Sequence, residues 1–225
     1  MKACLVTGYN KDYNELAEVA IESFKIYCKR VNIPLVINTK IFEEFEPHEA
    51  KFRLILKCFN EGYDCVFWVD CDAVIVGKKD FRDLLKEGKS IYLVKHRRLV
   101  NFELPNTGVM ILKKSDSMFN ILTTCLLDRR LKEYQHFENG AFDNLLGYWS
   151  PMKRHRIFRN IIKYSGLVPL FEKNKMFEED IEWINEKWNY LPCEKREVNN
   201  PIIKHYANVP NEKRIELMKE DLNLK

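Results

Sequence analysis

Two carboxylates stand one residue apart in the run Phe67-Trp68-Val69-Asp70-Cys71-Asp72-Ala73-Val74. The residues before them, Cys65 to Val69, are apolar and of strand-forming type, so the run reads as a buried strand ending in acid. If the strand continues through the pair, residues i and i+2 project to one side and Asp70 and Asp72 converge. Carboxylates that close repel unless a proton or a cation lies between them. A hard divalent ion, Mg²⁺ or Mn²⁺, is the natural occupant, with phosphate oxygens completing its shell. The same spacing also occurs in turns whose Asp side chains accept from backbone N–H groups, so both readings stand at this point.

Other chemistries find little support. The eight glycines form neither a GxGxxG nor a GxxxxGK[ST] loop, which disfavours dinucleotide and P-loop sites. No Gly-x-Ser-x-Gly elbow occurs. Seven cysteines, an odd number without a Cys-x-x-Cys, read as reduced thiols packed as small hydrophobes in a cytosolic protein. A net charge of +4 with no aromatic-basic interleaving gives no reason to expect a nucleic-acid partner. Basic blocks at Lys95-His96-Arg97-Arg98 and Lys153-Arg154-His155-Arg156, with Arg159 close by, are solvated faces or a patch for something anionic, a membrane surface included.

The elements that must position the acids follow from the hydrophobic pattern. With 225 residues, 46% hydrophobic and 31% charged, the chain can bury a core without disulfide or metal staples. The longest uncharged run, Ser117 to Leu127, has 11 residues, against about 18 for a spanning helix. No transmembrane segment is expected, and the N-terminus lacks a signal-peptide apolar core. Ala3–Thr7, Leu35–Asn38, Asp64–Val69, Ala73–Val76, Ser90–Val94, Gly108–Leu112 and Ile202–His205 read as strands. Residues 12–31 and the stripe Phe52, Ile55, Leu56, Phe59 read as helices, as does the stripe Met118, Ile121, Leu122, Cys125. Further helices are expected near 138–147 and 178–188. This alternation predicts an α/β fold with a mostly parallel central sheet flanked by helices. Ligands of such sheets bind at the carboxyl ends of strands, which directs attention to Thr7–Tyr9, Asp70–Asp72, Asn106–Gly108 and His205.

Here the sequence resembles a family. CVFWVDCDAVI is similar to the Asp-x-Asp strand of glycosyltransferases with the GT-A fold, a Rossmann-like fold for nucleotide-diphospho-sugars. Asn106-Thr107-Gly108-Val109-Met110-Ile111-Leu112 is similar to the Asn-Thr-Gly strand of the xyloglucan-type galactosyl-, mannosyl- and xylosyltransferases. Ala50-Lys51 resembles the Ala-Lys of their donor-side helix. Glu138-Asn139-Gly140-Ala141-Phe142-Asp143 resembles the Asp-Gln-x-Ala segment of that family and of the glycogenin type, and Trp188-Asn189 the glycogenin-type Trp-Asn. Ile203-Lys204-His205-Tyr206 is similar to the late strand ending in a metal-binding His. Two departures stand out: Glu138-Asn139-Gly140 lacks the third acid of the glycogenin-type Asp-Gln-Asp, and Ala207-Asn208 replaces the Gly expected after the His.

The resemblance implies a single transferase domain over 1–225, with a nucleotide-sugar half at 1–115 and an acceptor half at 116–225. It implies Mn²⁺ or Mg²⁺ held by Asp70, Asp72 and His205, and a UDP-sugar donor. Thr7, Gly8 and Tyr9 would hold the base, Lys51 the phosphate or sugar, and Cys71, Asn106, Thr107 and Gly108 the rest of the donor. Glu138, Asn139 or Asp143 would face the reacting carbon or the acceptor hydroxyl, the resemblance implying a retaining mechanism, and Trp188 and Asn189 would face the glycan or glycoprotein acceptor. In size the chain is similar to small soluble bacterial or large-DNA-virus transferases without the Golgi anchor and stem, which implies a cytoplasmic enzyme, in the host cytoplasm if viral. Asp70-Cys71-Asp72-Ala73-Val74 also fits the haloacid-dehalogenase-type phosphatases, with Asp70 as nucleophile. That motif ordinarily ends the first strand, whereas two strands precede it here.

Overall fold

The computed structural model describes residues 1–99, 102–134, 137–148, 153, 177–193 and 197–224. β1 (Ala3–Thr7), β2 (Leu35–Ile37) and β3 (Cys65–Val69) pair in parallel, with β1 between the other two. β4 (Ala73–Ile75) follows a turn and leaves this sheet. β5 (Ile91–Leu99) and β6 (Phe102–Lys113) form an antiparallel hairpin, and β6 also lies antiparallel to β3. β7 (Ile181–Trp183) adds at the edge, parallel to β5. The order is β2-β1-β3-β6-β5-β7, with β6 opposing the other strands, so the sheet is mostly parallel as expected. β8 (Ile203–His205) pairs antiparallel with β4 in a separate two-stranded sheet.

The helices form where apolar stripes can be buried. α1 (Asn14–Val31) buries Leu16, Ala20, Phe24, Tyr27 and Val31 and ends at Asn32 in the left-handed conformation (φ 52°). α2 (Lys40–Glu44) is a short turn of helix that buries Phe42. α3 (Pro47–Asn60) starts on a proline, whose fixed φ suits a first helical turn. α4 (Asp116–Leu127) is capped by Ser115, whose Oγ accepts from Met118 N–H at 3.1 Å. α5 (Phe137–Leu145) and the C-terminal α6 (Asn211–Asp221) complete the set among the described residues.

Strand alternation then divides the core into two layers. Val66 and Trp68 of β3 face α3, α4 and α5; Cys65, Phe67 and Val69 face α1, α6 and the β4–β8 pair. Both faces of β3 are therefore buried, which explains its unbroken apolar run.

Three expectations need correction. The segment 178–188 is not a helix: a 3-10 turn (Glu178–Asp180), β7 and a second 3-10 turn (Glu186–Trp188) occupy it. Its backbone is claimed by the sheet edge, where Ser90 N–H donates to Asp180 C=O and Ile184 N–H to Leu93 C=O. The strand read at Gly108–Leu112 begins at Phe102, and Asn106-Thr107-Gly108 lies inside it. Leu93 opposes Met110 but Val94 opposes Asn106, so Thr107, Gly108 and Val109 bulge out of register with β5. Finally, Asp70 to Asp72 is a turn and not a continued strand, closed by Ala73 N–H donating to Asp70 C=O at 3.2 Å.

Ser23 ties α1 to β4 beneath that turn. Its buried Oγ donates to Ala20 C=O (2.7 Å) and accepts from Ile75 N–H (3.1 Å). Ser23→Ala strands the Ile75 N–H, and urea denaturation is expected to show a loss of about 1–3 kcal/mol.

Candidate active site

Asp70 caps the α3 side of the sheet. It follows Val66 and Trp68 on one face, and its Oδ1 accepts from Trp68 Nε1 at 2.6 Å. Its backbone N–H donates to Gly108 C=O at 2.8 Å, which fastens the β6 bulge to the end of β3. Lys51 of α3, buried at 3% exposure, sets its Nζ 3.0 Å from Asp70 Oδ1, 3.1 Å from Glu138 Oε1 and 3.1 Å from Thr107 C=O. Burial works against the Lys51 ammonium, but Asp70 and Glu138 outweigh it and push its pKa up to about 12. Burial raises the Asp70 pKa, Lys51 opposes this only in part, and Asp72 adds to the rise.

The turn carries Asp72 to the other layer. Its Oδ1 lies 3.2 Å from His205 Nε2 and its Oδ2 3.1 Å from Arg214 Nη1 of α6. His205 ends β8 opposite Ala73 in the β4 pairing, so the small sheet brings the imidazole to the turn. A Cβ at Gly108 would lie 2.1 Å from His205 Cε1, so glycine is required where the ring crosses β6.

A relay of amides sets the His205 tautomer. Gly108 N–H is a donor, so Asn106 presents Oδ1 to it at 2.8 Å. The same Oδ1 accepts from Asn189 Nδ2 at 2.9 Å, which turns Asn189 Oδ1 toward His205 Nδ1, also at 2.9 Å. Nδ1 therefore carries the proton and donates, and Nε2 presents its lone pair to Asp72. A lone pair and a carboxylate oxygen 3.2 Å apart need a proton or a metal between them. Asp70, Asp72 and His205 each offer a ligand atom, all within 4.8 Å of one another, and two carboxylates with an imidazole suit a divalent cation such as Mn²⁺.

These groups line a cavity of about 370 Å³ at the carboxyl end of β3. Tyr9, Lys51, Cys71, Asn106, Thr107, Gly108, Glu138 and Asn139 share its wall with the three metal candidates. Thr107 N–H donates to Asn139 Oδ1 at 2.7 Å, and Asn139 Nδ2 reaches Asp143 Oδ2 at 2.8 Å. Asp143, 1% exposed, stands behind Asn139 and off the cavity wall. Thr7 is fully buried, with Oγ1 off the wall and lacking a hydrogen-bond partner among the described residues. Gly8 is a packing requirement, since a Cβ there would lie 2.2 Å from the Phe42 ring.

The acceptor-side pair lies elsewhere than expected. Trp188 is 3% exposed and packs edge-on against Phe67 in the core, because its 3-10 turn points it under the sheet edge. Asn189 is fully buried and serves His205 through the relay. Residues that the motifs did not flag also line the cavity: Asn10, Tyr13, His48 and Arg214. Arg214 lies nine residues after His205, on a helix with no strong apolar stripe to announce it. The basic block at 95–98 is packed in part, with Lys95 Nζ 3.9 Å from the Trp183 ring centroid and His96 buried. Of the block at 153–159 only Lys153 is described, over the Phe137 ring, and the rest lies outside the described residues. None of the helices found among the described residues is long and apolar enough to cross a membrane.

No family model and no curated protein sequence matches the chain. Solved structures do. One is a glycosyltransferase involved in the glycosylation of the major capsid of PBCV-1, with a TM-score of 0.64 at 14% identity over 98% of this chain and 100% of that one. Another is the glycosyltransferase GlyE of Streptococcus pneumoniae, with 0.57 at 16% identity; all of this chain spans 61% of GlyE. A third is mouse xyloside xylosyltransferase 1, with 0.50 at 12% identity over 93% and 99%. The chain has the GT-A fold that these glycosyltransferases share.

Two measurements test the site. Asn189→Leu frees the imidazole to rotate, and titration calorimetry is expected to show Mn²⁺ affinity reduced about 10- to 100-fold. In metal-free protein Asp72 outweighs burial and raises the His205 pKa above its ordinary 6.5. The stabilisation from this pair is complete below 6.5 and is lost as pH rises through the folded value. Unfolding free energy is therefore expected to fall as pH rises above 6.5 and through the raised folded value, and the fall to shrink in His205→Gln.

Proposed function

We propose that this protein is a metal-dependent glycosyltransferase that moves a sugar from a nucleotide diphosphate, a UDP-sugar, to a glycan or glycoprotein acceptor with retention at the anomeric carbon. The observation that carries this reading is the Asp70–Asp72–His205 cluster at the carboxyl edge of a GT-A sheet, with the imidazole lone pair turned into it. Asp70, Asp72 and His205 would hold Mn²⁺ or Mg²⁺, which when bound supplies Lewis acidity toward a diphosphate leaving group.

The chain's own residues have separable roles in this reading. Arg214 and Lys51 hold fixed positive charge beside the cluster, where charge grows as the sugar–diphosphate bond breaks. Tyr9 offers an aromatic face to the base, with Thr7 and Gly8 shaping the strand end beneath it. Cys71 and the Asn106-Thr107-Gly108 segment at the β6 bulge offer backbone at close range to ribose and sugar. Glu138 lines the same cavity with its charge held by Lys51, which suits a carboxylate facing the reacting carbon. Asn139 is held by Thr107 and Asp143 and suits the amide beside the sugar. The whole chain then acts as one transferase unit, its first 115 residues on the donor side and later residues serving both sides.

A thermal-shift panel of UDP, GDP and CDP, each with and without Mn²⁺, tests this. A native-state ligand at 100 times its Kd stabilises by about 2.7 kcal/mol. UDP is expected to raise Tm only with Mn²⁺, and Asp70→Asn and Asp72→Asn are expected to abolish that shift while remaining folded. No nucleotide-dependent shift in the presence of metal, or an unchanged shift in Asp72→Asn, would sink the proposal.

A further inference from the structure

His205 ends β8 facing the cavity, and the residues on either side of it, Lys204 of β8 and Tyr206 just after it, turn to α6. There one carboxylate holds both: Lys204 Nζ pairs with Asp221 Oδ1, and the Tyr206 hydroxyl donates to Asp221 Oδ2. Asp221 is the last residue of α6, with its side chain 15% exposed. Arg214, in the first turns of the same helix, donates from Nη1 to Asp72 Oδ2 at 3.1 Å and from Nε to Val209 C=O at 2.5 Å. Both ends of α6 therefore reach the candidate metal cluster, Arg214 directly at Asp72 and Asp221 through the residues flanking His205.

Core packing is one role of this helix, and the ion pairs at its two ends are another. Met218 is its one fully buried residue, with Ile215 and Leu217 packed against the core at its side, and the helix also holds two partly buried ion pairs, Asp221–Lys204 and Arg214–Asp72. A carboxylate that grips the side chains before and after His205 tethers the chain on both sides of it to the end of α6. It thereby restricts sliding of β8 and with it the position of the His205 Cα. Asn189 then fixes the remaining freedom, the turn of the ring.

We infer that α6 is a positioning clamp for the Asp72–His205 half of the metal cluster, with Asp221 the positioning residue for His205. The inference rests on the metal reading proposed above and extends it to residues outside the cavity.

The test compares wild type, Asp221→Asn and Tyr206→Phe in two readouts: Mn²⁺ affinity by calorimetry, and the ¹⁵N resonances of the histidine rings in metal-free protein. Asp221→Asn is expected to lose about 10- to 100-fold in Mn²⁺ affinity, the effect ordinary for groups that orient a ligand. Tyr206→Phe removes only a hydroxyl, should lose less, and carries the test if Asp221→Asn does not fold. In both variants the His205 ring resonances should move while those of His48 do not. Folded variants with wild-type Mn²⁺ affinity overturn the clamp and leave the metal site standing. A wild type that takes no Mn²⁺ removes the metal reading instead; unmoved His205 resonances in the variants then overturn the clamp, and moved ones support it as the holder of the Asp72–His205 pair.

Discussion

Two like charges one residue apart, in a partly buried place, are the constraint on which the rest of this structure depends. Neither carboxylate could remain ionised there without a partner. The turn at Asp70–Asp72 resolves the conflict by sending the two side chains to different layers. Asp70 stays on the α3 side and meets Lys51; Asp72 crosses to the α6 side and meets His205 and Arg214. The site thus sits where the two layers of the core meet at the end of β3, and each layer contributes cationic groups. Burial raises the Asp70 pKa, and Lys51 opposes the rise only in part.

The neutral groups around the acids are arranged with equal consequence. A single backbone donor, Gly108 N–H, fixes the direction of two side-chain amides and through them the proton on His205. That relay needs the β6 bulge, which frees Thr107 to Val109 from β5 and turns Gly108 toward both Asp70 and His205. It also needs a residue without a side chain at the crossing, since any Cβ would enter the imidazole. The bulge, the glycine and the amides are therefore one device, and its parts come from chain positions about 80 residues apart by the 106-to-189 separation.

Much of this was legible in the chain. The alternating strands and helices of the first 115 residues, the acids at the end of β3 and the late His at the end of β8 are all where periodicity and motif order put them. Local pattern suffices there because each element has its own apolar stripe and its own boundary signal. It failed where the stripe was weak or a partner decided. α2 buries Phe42 and α6 buries Met218, too little for a periodic signal. Within 178–188, Ile181–Trp183 took strand form because β5 offered an open edge, with a 3-10 turn on either side. Trp188 and Asn189 carried the motif of a substrate wall but serve the core and the His205 relay, a difference invisible without knowing which face of their turn is buried.

The sequence by itself determined that an apolar strand ends in two acids, that a mostly parallel α/β sheet supports them, and that a histidine falls at the carboxyl end of a late strand. These follow from residue type and from periods of two and 3.6, which act over a few neighbours. Only the tertiary structure decided which layer each acid faces, which cation meets it, which nitrogen of His205 carries the proton and why Gly108 must be glycine. Those depend on contacts between residues such as Asp72 and Arg214, 142 positions apart, and hydrogen-bond direction and charge pairing at such separations are set by packing in space.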